Sequence, residues 1–139
     1  MKIILASHGS LADAMLKVLH MIMGEDDDVE AFSLDTYENP VALSRVVKKK
    51  IEDEGGKPVI MVCDIKGGSV FNQLLPLCTR AGVYLFSGMN LDLVLSLVNI
   101  QPSTSAEFEE SIREAKAGIV CFDMETLEKM KNTNDADLL

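Results

Sequence analysis

Residues 2–7 read KIILAS and residues 58–63 read PVIMVC. Both segments are nearly continuous apolar runs, which is the pattern of a parallel strand that is covered on both faces. Shorter apolar segments at 29–34, 83–87 and 119–122 predict three further strands. Helical patterns separate these strands, and such alternation indicates a doubly wound α/β domain with right-handed crossovers.

The first predicted helix follows directly on residues 2–7. Its apolar side chains recur at i, i+4, i+7 and i+11, which is one stripe of an amphipathic helix, and they are Leu11, Met15, Val18 and Ile22. We expect this stripe to face the sheet. Ser10 is the expected N-cap of the helix, and Gly24 is expected to end it.

Further helical patterns cover residues 39–54, 69–80, 91–100 and 103–116. Pro76 is expected to kink or shorten the helix at 69–80. Ser103 or Ser105 is the expected cap of the last helix. The segment 91–100 is apolar on almost every side, so its outer face is a candidate subunit interface.

Length and charge restrict the organisation and the partners of the chain. A chain of 139 residues fits a single domain, which we assign to residues 1–131, with a frayed acidic tail at 132–139. The chain has 13 Lys and Arg against 22 Asp and Glu, which gives a net charge of −9. We therefore expect no nucleic-acid partner, because this charge repels a phosphate backbone.

The cysteines and the apolar segments point to a cytoplasmic protein without a metal site. Cys63, Cys78 and Cys121 have no CxxC spacing and are odd in number, which favours reduced thiols over a disulfide framework or a zinc site. We interpret all three as small core residues. The longest uncharged segments are shorter than a bilayer crossing requires.

Residues that could take part in a reaction follow two of the predicted strands. His8 directly follows the first strand in the segment SHGS, and Asp64 follows the strand at 58–63 in the segment DIKGGS. In the flavodoxin-like strand order 2-1-3-4 these strands are neighbours, so the two side chains face each other at the carboxyl edge of the sheet. Both segments also open helices, whose N-terminal amides favour anions.

This combination predicts a site that accepts a phosphoryl group. A carboxylate on one ring nitrogen fixes the imidazole tautomer and leaves the other nitrogen free as a nucleophile. Phosphoryl transfer depends mainly on positioning and charge stabilisation, so no metal or cofactor is needed. Glycines let helix N-terminal amides approach an anion closely, and the two segments supply Gly9, Gly67 and Gly68, with Ser10 and Ser69 at the starts of the two helices.

Each of these features alone has a simpler interpretation. A single loop histidine is more often structural than catalytic, and a glycine pair after a strand is ordinary turn chemistry. Their joint occurrence at two strand ends is what favours a functional site. His20, in contrast, lies on the helix side of Asp13 and Lys17, so we expect it to be a solvated surface residue without a function.

The sequence resembles the enzyme IIA components of the mannose-type (mannose, fructose, sorbose) sugar phosphotransferase system. The matching segments occur in family order and span about residues 1–120; they are SHGS at 7–10 with Ala12, LHMIMG at 19–24, VCDIKGGSVFN at 62–72 and SGMNL at 87–91. The chain departs from the family pattern at Val70 and Asp92, where the family usually has proline.

The resemblance implies that His8 is phosphorylated and that Asp64 holds its imidazole, with Asn90 and Leu91 as a neighbouring wall of the phosphate pocket. It also implies a phosphotransferase that takes its phosphoryl group from the phosphocarrier protein HPr and passes it to enzyme IIB. Contact with the membrane is then only indirect, through enzymes IIC and IID. The implied assembly is a homodimer that exchanges a fifth strand, which residues 119–122 fit.

Two other functions use the same residues. In one, phosphorylation of His8 regulates a binding module of the same fold and does not feed transport. In the other, His8 and Asp64 serve a small-molecule hydrolase or mutase, but none of the three arginines lies at a strand end to hold a phosphate substrate. The sequence leaves open which sugar is transported and whether Lys66 assists phosphate binding or is simply solvated.

Overall fold

A computed structural model describes residues 1–133 of the chain. Its sheet has four parallel strands, which are β1 (Lys2–Ser7), β2 (Val29–Ser33), β3 (Val59–Cys63) and β4 (Val83–Ser87). Their order is β2-β1-β3-β4, and every neighbouring pair is parallel. The predicted α/β class and the strand order 2-1-3-4 are confirmed.

Six helices accompany the sheet: α1 (Leu11–Met23), α2 (Pro40–Asp53), α3 (Ser69–Leu74), α4 (Leu91–Ile100), α5 (Ser105–Ala117) and α6 (Met124–Asn132). Short 3₁₀ segments follow β2 at Leu34–Thr36 and α3 at Leu75–Thr79. Pro76 lies in the first turn of the second segment and ends α3 early, which confirms the predicted shortening. Helix α6 was not predicted.

The sheet is covered on both faces, as its apolar strands require. On one face, buried residues of β1 and β3 pack with residues of α1, α4 and α5; on the other, they pack with residues of α2 and α3. All five residues of β3 are buried. The central strands are therefore held rigidly, and their carboxyl ends provide a fixed base for the loops that follow.

Helix α1 contacts the core through a different face from the predicted one. Ala12 and Leu19 are its buried residues, whereas Leu11 and Ile22 of the predicted stripe are 43% and 56% exposed. Of that stripe, Met15 packs against the core. The first turn is fixed so that the small Ala12 side chain faces the sheet, and this leaves Leu11, Val18 and Ile22 of the predicted stripe exposed to solvent.

Two buried serines fix that first turn. Ser7 and Ser33 lie opposite each other at the carboxyl ends of β1 and β2. Ser7 Oγ accepts a hydrogen bond from the amide of Ala12 at 2.7 Å, and Ser33 Oγ accepts one from the amide of Asp13 at 3.0 Å. Ser10 occupies the N-cap position as predicted, but its side chain makes no capping hydrogen bond. The sheet itself therefore caps the helix.

Part of the apolar surface of α4, which the sequence offered as a candidate subunit interface, is covered by α5 of the same chain. Helix α5 packs along it, and five of its ten residues are buried. The cap of α5 also differs from the prediction. Thr104 Oγ1 accepts the amide hydrogen of Glu107 at 3.3 Å, and Thr104, not Ser103 or Ser105, is the N-cap.

The predicted fifth strand is absent from the sheet formed by residues 1–133. Residues 119–122 are irregular, and Ile119, at 73% exposed, is typical of them. These residues pair with no strand within residues 1–133, although the outer edge of β4 is free and Ile119 lies beside it. We call residues 119–133 the C-terminal arm; none of its side chains is buried. The predicted tail overlaps α6 at Asn132 and otherwise lies mostly outside the described residues.

Because the hydrogen bond from the Ala12 amide is buried and that from the Asp13 amide is part-buried, removing a serine acceptor leaves one of these amides unpaired. We expect Ser33→Ala to lower the free energy of unfolding by about 1–2 kcal/mol. The matched Ser10→Ala variant should change it by less than about 0.5 kcal/mol. Urea unfolding followed by circular dichroism measures both, and equal losses in the two variants would contradict the assigned caps.

Candidate functional site

The strand order brings His8 and Asp64 together. His8 directly follows β1, and Asp64 directly follows the neighbouring strand β3. Oδ2 of Asp64 lies 2.8 Å from Nδ1 of His8 and accepts the backbone amide of His8 at 2.9 Å. One carboxylate oxygen thus holds both the main chain and the ring of the histidine.

The hydrogen bonds determine which ring nitrogen is free. Both oxygens of Asp64 accept backbone amide hydrogens, since Oδ1 also accepts the amide of Ile65 at 3.0 Å. Burial alone raises the pKa of Asp64, but the hydrogen bonds from the amide and ring of His8 and the charge of that ring outweigh burial, so the pKa lies below its ordinary value. The ionised carboxylate only accepts hydrogen bonds, so Nδ1 of His8 is the donor.

With the proton on Nδ1 of neutral His8, Nε2 carries a lone pair. The hydroxyl oxygen of Ser69 lies 2.9 Å from Nε2, so the hydroxyl donates its hydrogen to that nitrogen. The His8 side chain is 41% exposed, whereas that of Asp64 is 13% exposed. The site therefore presents a nucleophilic nitrogen at the surface and keeps the orienting carboxylate beneath it.

Gly68 provides the space in which the ring lies. A Cβ atom at this position would be 3.0 Å from Cε1 of His8 and 2.8 Å from Cγ2 of Ile65. The backbone of Gly68 has an ordinary φ of −71°, so the requirement here is for room. Gly67 differs, because its φ of +81° is a conformation that glycine adopts without strain.

The segment after His8 is tied to the loop after β2. The carbonyl of Gly9 accepts the backbone amide hydrogen of Asp35 at 3.2 Å, and Gly9 has a φ of +54°. The Ser10 hydroxyl is not used in capping α1, as described above. The hydrogen bond to the loop after β2 thus fixes the backbone at Gly9, directly after His8.

The predicted wall residues belong to the start of α4. Asn90 is the N-cap of this helix, and its Oδ1 accepts the amide hydrogen of Leu93 at 2.8 Å. Leu91 is the first helical residue and is half-buried. The loop is tied to β3 because Met89 donates its amide hydrogen to the carbonyl of Cys63 at 3.1 Å. Asn90 therefore has a structural role in shaping this edge of the sheet.

Asn90 also borders a cavity of about 670 Å³ along the outer edge of β4, which we call the β4 groove. Its walls are largely apolar and include Tyr84 of the strand and Phe108 and Ile112 of α5. The first residue of the arm, Ile119, lies at its margin.

Several other predictions concern single side chains. His20 is half-buried and not fully solvated, and its Nε2 is buried without a hydrogen-bond partner among the described residues. Cys63 is buried as predicted, and burial raises its pKa to about 11. Cys78 is half-buried, whereas Cys121 is exposed in the arm, so its assignment to the core was wrong. Lys66 is exposed.

Residues 1–133 contain neither a cluster of metal-binding side chains nor a helix that could span a membrane. Among residues 1–133, no group of three or more histidine, cysteine, aspartate or glutamate side chains is arranged to hold a metal ion. No helix within the same range has the length and apolar character needed to cross a membrane.

Comparison with known families identifies the chain. The model of the family EIIA-man, described as the PTS (phosphotransferase system) fructose IIA component, matches residues 2–116. The chain belongs to this family. It is thus a mannose-type EIIA protein, a phosphoryl carrier of the sugar phosphotransferase system. The matched range includes both segments of the site and ends before the arm.

Solved structures agree with this assignment. An EIIA protein associated with the fucose utilization operon of Streptococcus pneumoniae is 27% identical, with a TM-score of 0.75, and the match covers 91% of this chain and 94% of that one. The EIIA component of Streptococcus agalactiae is 25% identical, with a TM-score of 0.71 and coverage of 90% and 98%.

The mannose/sorbose specific IIA subunit of Enterococcus faecalis shares the fold, with 22% identity, a TM-score of 0.70 and coverage of 88% and 95%. A search of the curated proteins found no significant match.

The sequence analysis did not identify two serines that support the candidate site. Ser7 and Ser33 do not touch the His8 ring, but they anchor the helix that starts two residues after Gly9. The feature of the sequence that could have identified them is a serine at the carboxyl end of each of two neighbouring predicted strands.

The close approach at Gly68 yields a test of the site geometry. In Gly68→Ala the added methyl group should displace the His8 ring and weaken its hydrogen bond to Asp64. NMR of the His8 ring should then show a shifted and broadened Nδ1 proton signal. The control is Gly55→Ala, where φ is +61° and the space is open; it should lower stability by about 1 kcal/mol and leave the His8 signals unchanged. An unperturbed ring in Gly68→Ala would contradict the described packing.

Proposed function

We propose that His8 is the residue that carries the phosphoryl group in this EIIA protein and that Nε2 is the atom to which it is bonded. The observation that carries this proposal is the hydrogen-bond pattern around the ring: Asp64 occupies Nδ1, and only a Ser69 hydroxyl lies against Nε2. Rotation of that hydroxyl exposes the Nε2 lone pair to an incoming phosphorus atom.

The transfer balances without a metal ion. The Nε2 lone pair forms a P–N bond as the bond between phosphorus and the donor's leaving group breaks, through a loose, metaphosphate-like transition state. The imidazole gains positive charge, which the Asp64 carboxylate stabilises through Nδ1–H. The same events in reverse pass the phosphoryl group to an acceptor, because a cationic phosphoimidazole has a good leaving group.

We assign the phosphoryl oxygens to the backbone amides and hydroxyls around the ring, from Gly9, Ser10, Gly67, Gly68 and Ser69. Gly9 and Gly67 have positive φ values, which glycine adopts without strain, and they lie in the two loops that carry His8 and Asp64. The Ser69 hydroxyl already lies at hydrogen-bond distance from Nε2, so it can turn to donate to a phosphoryl oxygen. Asn90 and Leu91 form the neighbouring wall.

The partners follow from the family. We infer that the protein acts in the cytoplasm, that the phosphocarrier protein HPr is the donor and that enzyme IIB is the acceptor, with enzymes IIC and IID as the membrane components. The net charge of −9 agrees with protein partners in place of nucleic acid. We assign the activity to residues 1–131 as one domain.

The proposal is tested by incubating the protein with phosphoenolpyruvate, the enzyme that phosphorylates HPr, and HPr. We expect an acid-labile, alkali-stable phosphoryl group, which mass spectrometry maps to His8. His8→Ala should abolish labelling, and Asp64→Asn should slow it about tenfold or more because the ring tautomer is no longer fixed.

His20→Ala is the matched control and should be labelled like the wild type. A label that persists in His8→Ala would overturn the proposal. A phosphoryl group that reaches His8 but is not passed to enzyme IIB would contradict the carrier role.

We further propose a homodimer in which residues 119–122 of one copy form a strand against β4 of the other. The outer edge of β4 is unpaired in the four-stranded sheet of residues 1–133, and the β4 groove beside it is apolar. The arm in turn exposes Ile119, Val120 and Phe122. A strand added at this edge would cover both surfaces and complete the backbone hydrogen bonds of β4.

Alternate side chains of a strand face opposite sides, so Ile119→Asp and Val120→Asp test the two faces of the arm. We expect at least one of the variants to sediment as a monomer in analytical ultracentrifugation, whereas the wild type sediments as a dimer. Met21→Asp changes an exposed apolar residue of α1 outside the arm and should remain dimeric. Dimers in both arm variants would contradict strand exchange.

A further inference from the structure

Three side chains of the site form a continuous hydrogen-bonded series. Asp64 Oδ2 lies 2.8 Å from Nδ1 of His8, and Nε2 of the same ring lies 2.9 Å from Oγ of Ser69. The direction of each hydrogen bond is fixed by the ionised carboxylate: Nδ1–H donates to Asp64, and the Ser69 hydroxyl donates to Nε2. An alcohol that donates to the basic nitrogen of an aspartate-oriented imidazole is activated as a nucleophile.

We propose that Ser69 is a second nucleophile of this site and that it accepts acyl groups from small activated esters with His8 as its general base. This reactivity is separate from phosphoryl transfer and does not depend on it, since phosphoryl transfer uses the Nε2 lone pair directly. Both chemistries need that lone pair, so they exclude each other in any one molecule.

Acyl transfer begins at the Ser69 hydroxyl. Ser69 Oγ forms a bond to the ester carbonyl carbon while its proton passes to Nε2 of His8, and the resulting imidazolium is stabilised by Asp64. The bond from carbon to the leaving alcohol then breaks, and the alcohol takes the proton from Nε2. The products are an acyl ester of Ser69 and the free alcohol, and the imidazole returns to its neutral form.

The surroundings of Ser69 restrict the ester to a small one. Ser69 is exposed, and the His8 side chain is 41% exposed, so an ester can reach the hydroxyl from solvent. The apolar Ile65 side chain, which lies beside Gly68 and is itself exposed, is the nearby surface for a short acyl chain. Because both groups are exposed, they enclose little of the ester, so we specify an activated ester with a good leaving group.

The test uses p-nitrophenyl acetate and the full-length protein. We expect release of p-nitrophenolate and a stable acetyl group, which peptide mapping assigns to Ser69. Ser69→Ala should lose this acetylated peptide. His8→Ala should lower the rate of Ser69 acetylation by about 10²-fold or more, which is the usual contribution of a general base. Circular dichroism verifies that each variant is folded.

Ser105 provides the matched control, because it is also an exposed serine at the first position of a helix. Ser105→Ala should be acetylated at Ser69 like the wild type. The proposal is overturned if Ser69 reacts no faster than Ser105, if acetyl groups are found on His8 alone, or if Ser69 acetylation is unchanged in His8→Ala. Each of these results leaves the phosphorylation of His8 unaffected, so the two proposals fail independently.

Discussion

The two hydrogen bonds that His8 donates to one oxygen of Asp64 are the interaction on which the site depends. Their distances, 2.9 Å to the backbone amide and 2.8 Å to the ring, place main chain and side chain against the same oxygen. These bonds join the loops that follow two neighbouring strands, so they also link β1 and β3 beyond the last rung of the sheet. A shift of either loop would change the orientation of the ring.

The glycines around the ring act in two different ways. Gly67 and Gly9 adopt positive φ values that let the backbone turn sharply, whereas Gly68 is needed because any larger side chain would meet the imidazole. In the GGS segment, Gly67 therefore provides the positive φ value, and the adjacent Gly68 leaves space for the ring. The serine that follows then has a fixed distance to Nε2, and this one hydroxyl can serve as a hydrogen-bond donor or as a nucleophile.

Much of this arrangement could be predicted from the sequence, because it follows from strand ends. Apolar runs gave the four strands, and parallel neighbours necessarily bring His8 and Asp64 to one edge. The buried face of α1 could not be predicted from its periodicity. Both the face containing Ala12 and the face containing Leu11 carry apolar residues. The choice between them is made by the hydrogen bonds that the amides of Ala12 and Asp13 donate to Ser7 and Ser33, two serines that are distant from each other in sequence.

The errors at the C-terminal end have a related cause. Residues 119–122 have the composition of a strand, but a strand requires a pairing neighbour, and this segment pairs with no strand within residues 1–133. Composition reports the tendency of a segment to pair and not the chain with which it pairs. Helix α4 is the opposite case, because an element of the same chain, α5, packs against its second apolar face.

The exposure of His8 has a consequence for the order of events during turnover. Nε2 of His8, the atom that we propose to be phosphorylated, lies across the ring from the Asp64 carboxylate. Under this proposal a donor and an acceptor protein approach the same nitrogen in turn, and the first dissociates before the second docks. Turnover then follows ping-pong kinetics, in which an excess of unphosphorylated donor competes with the acceptor and slows the relay.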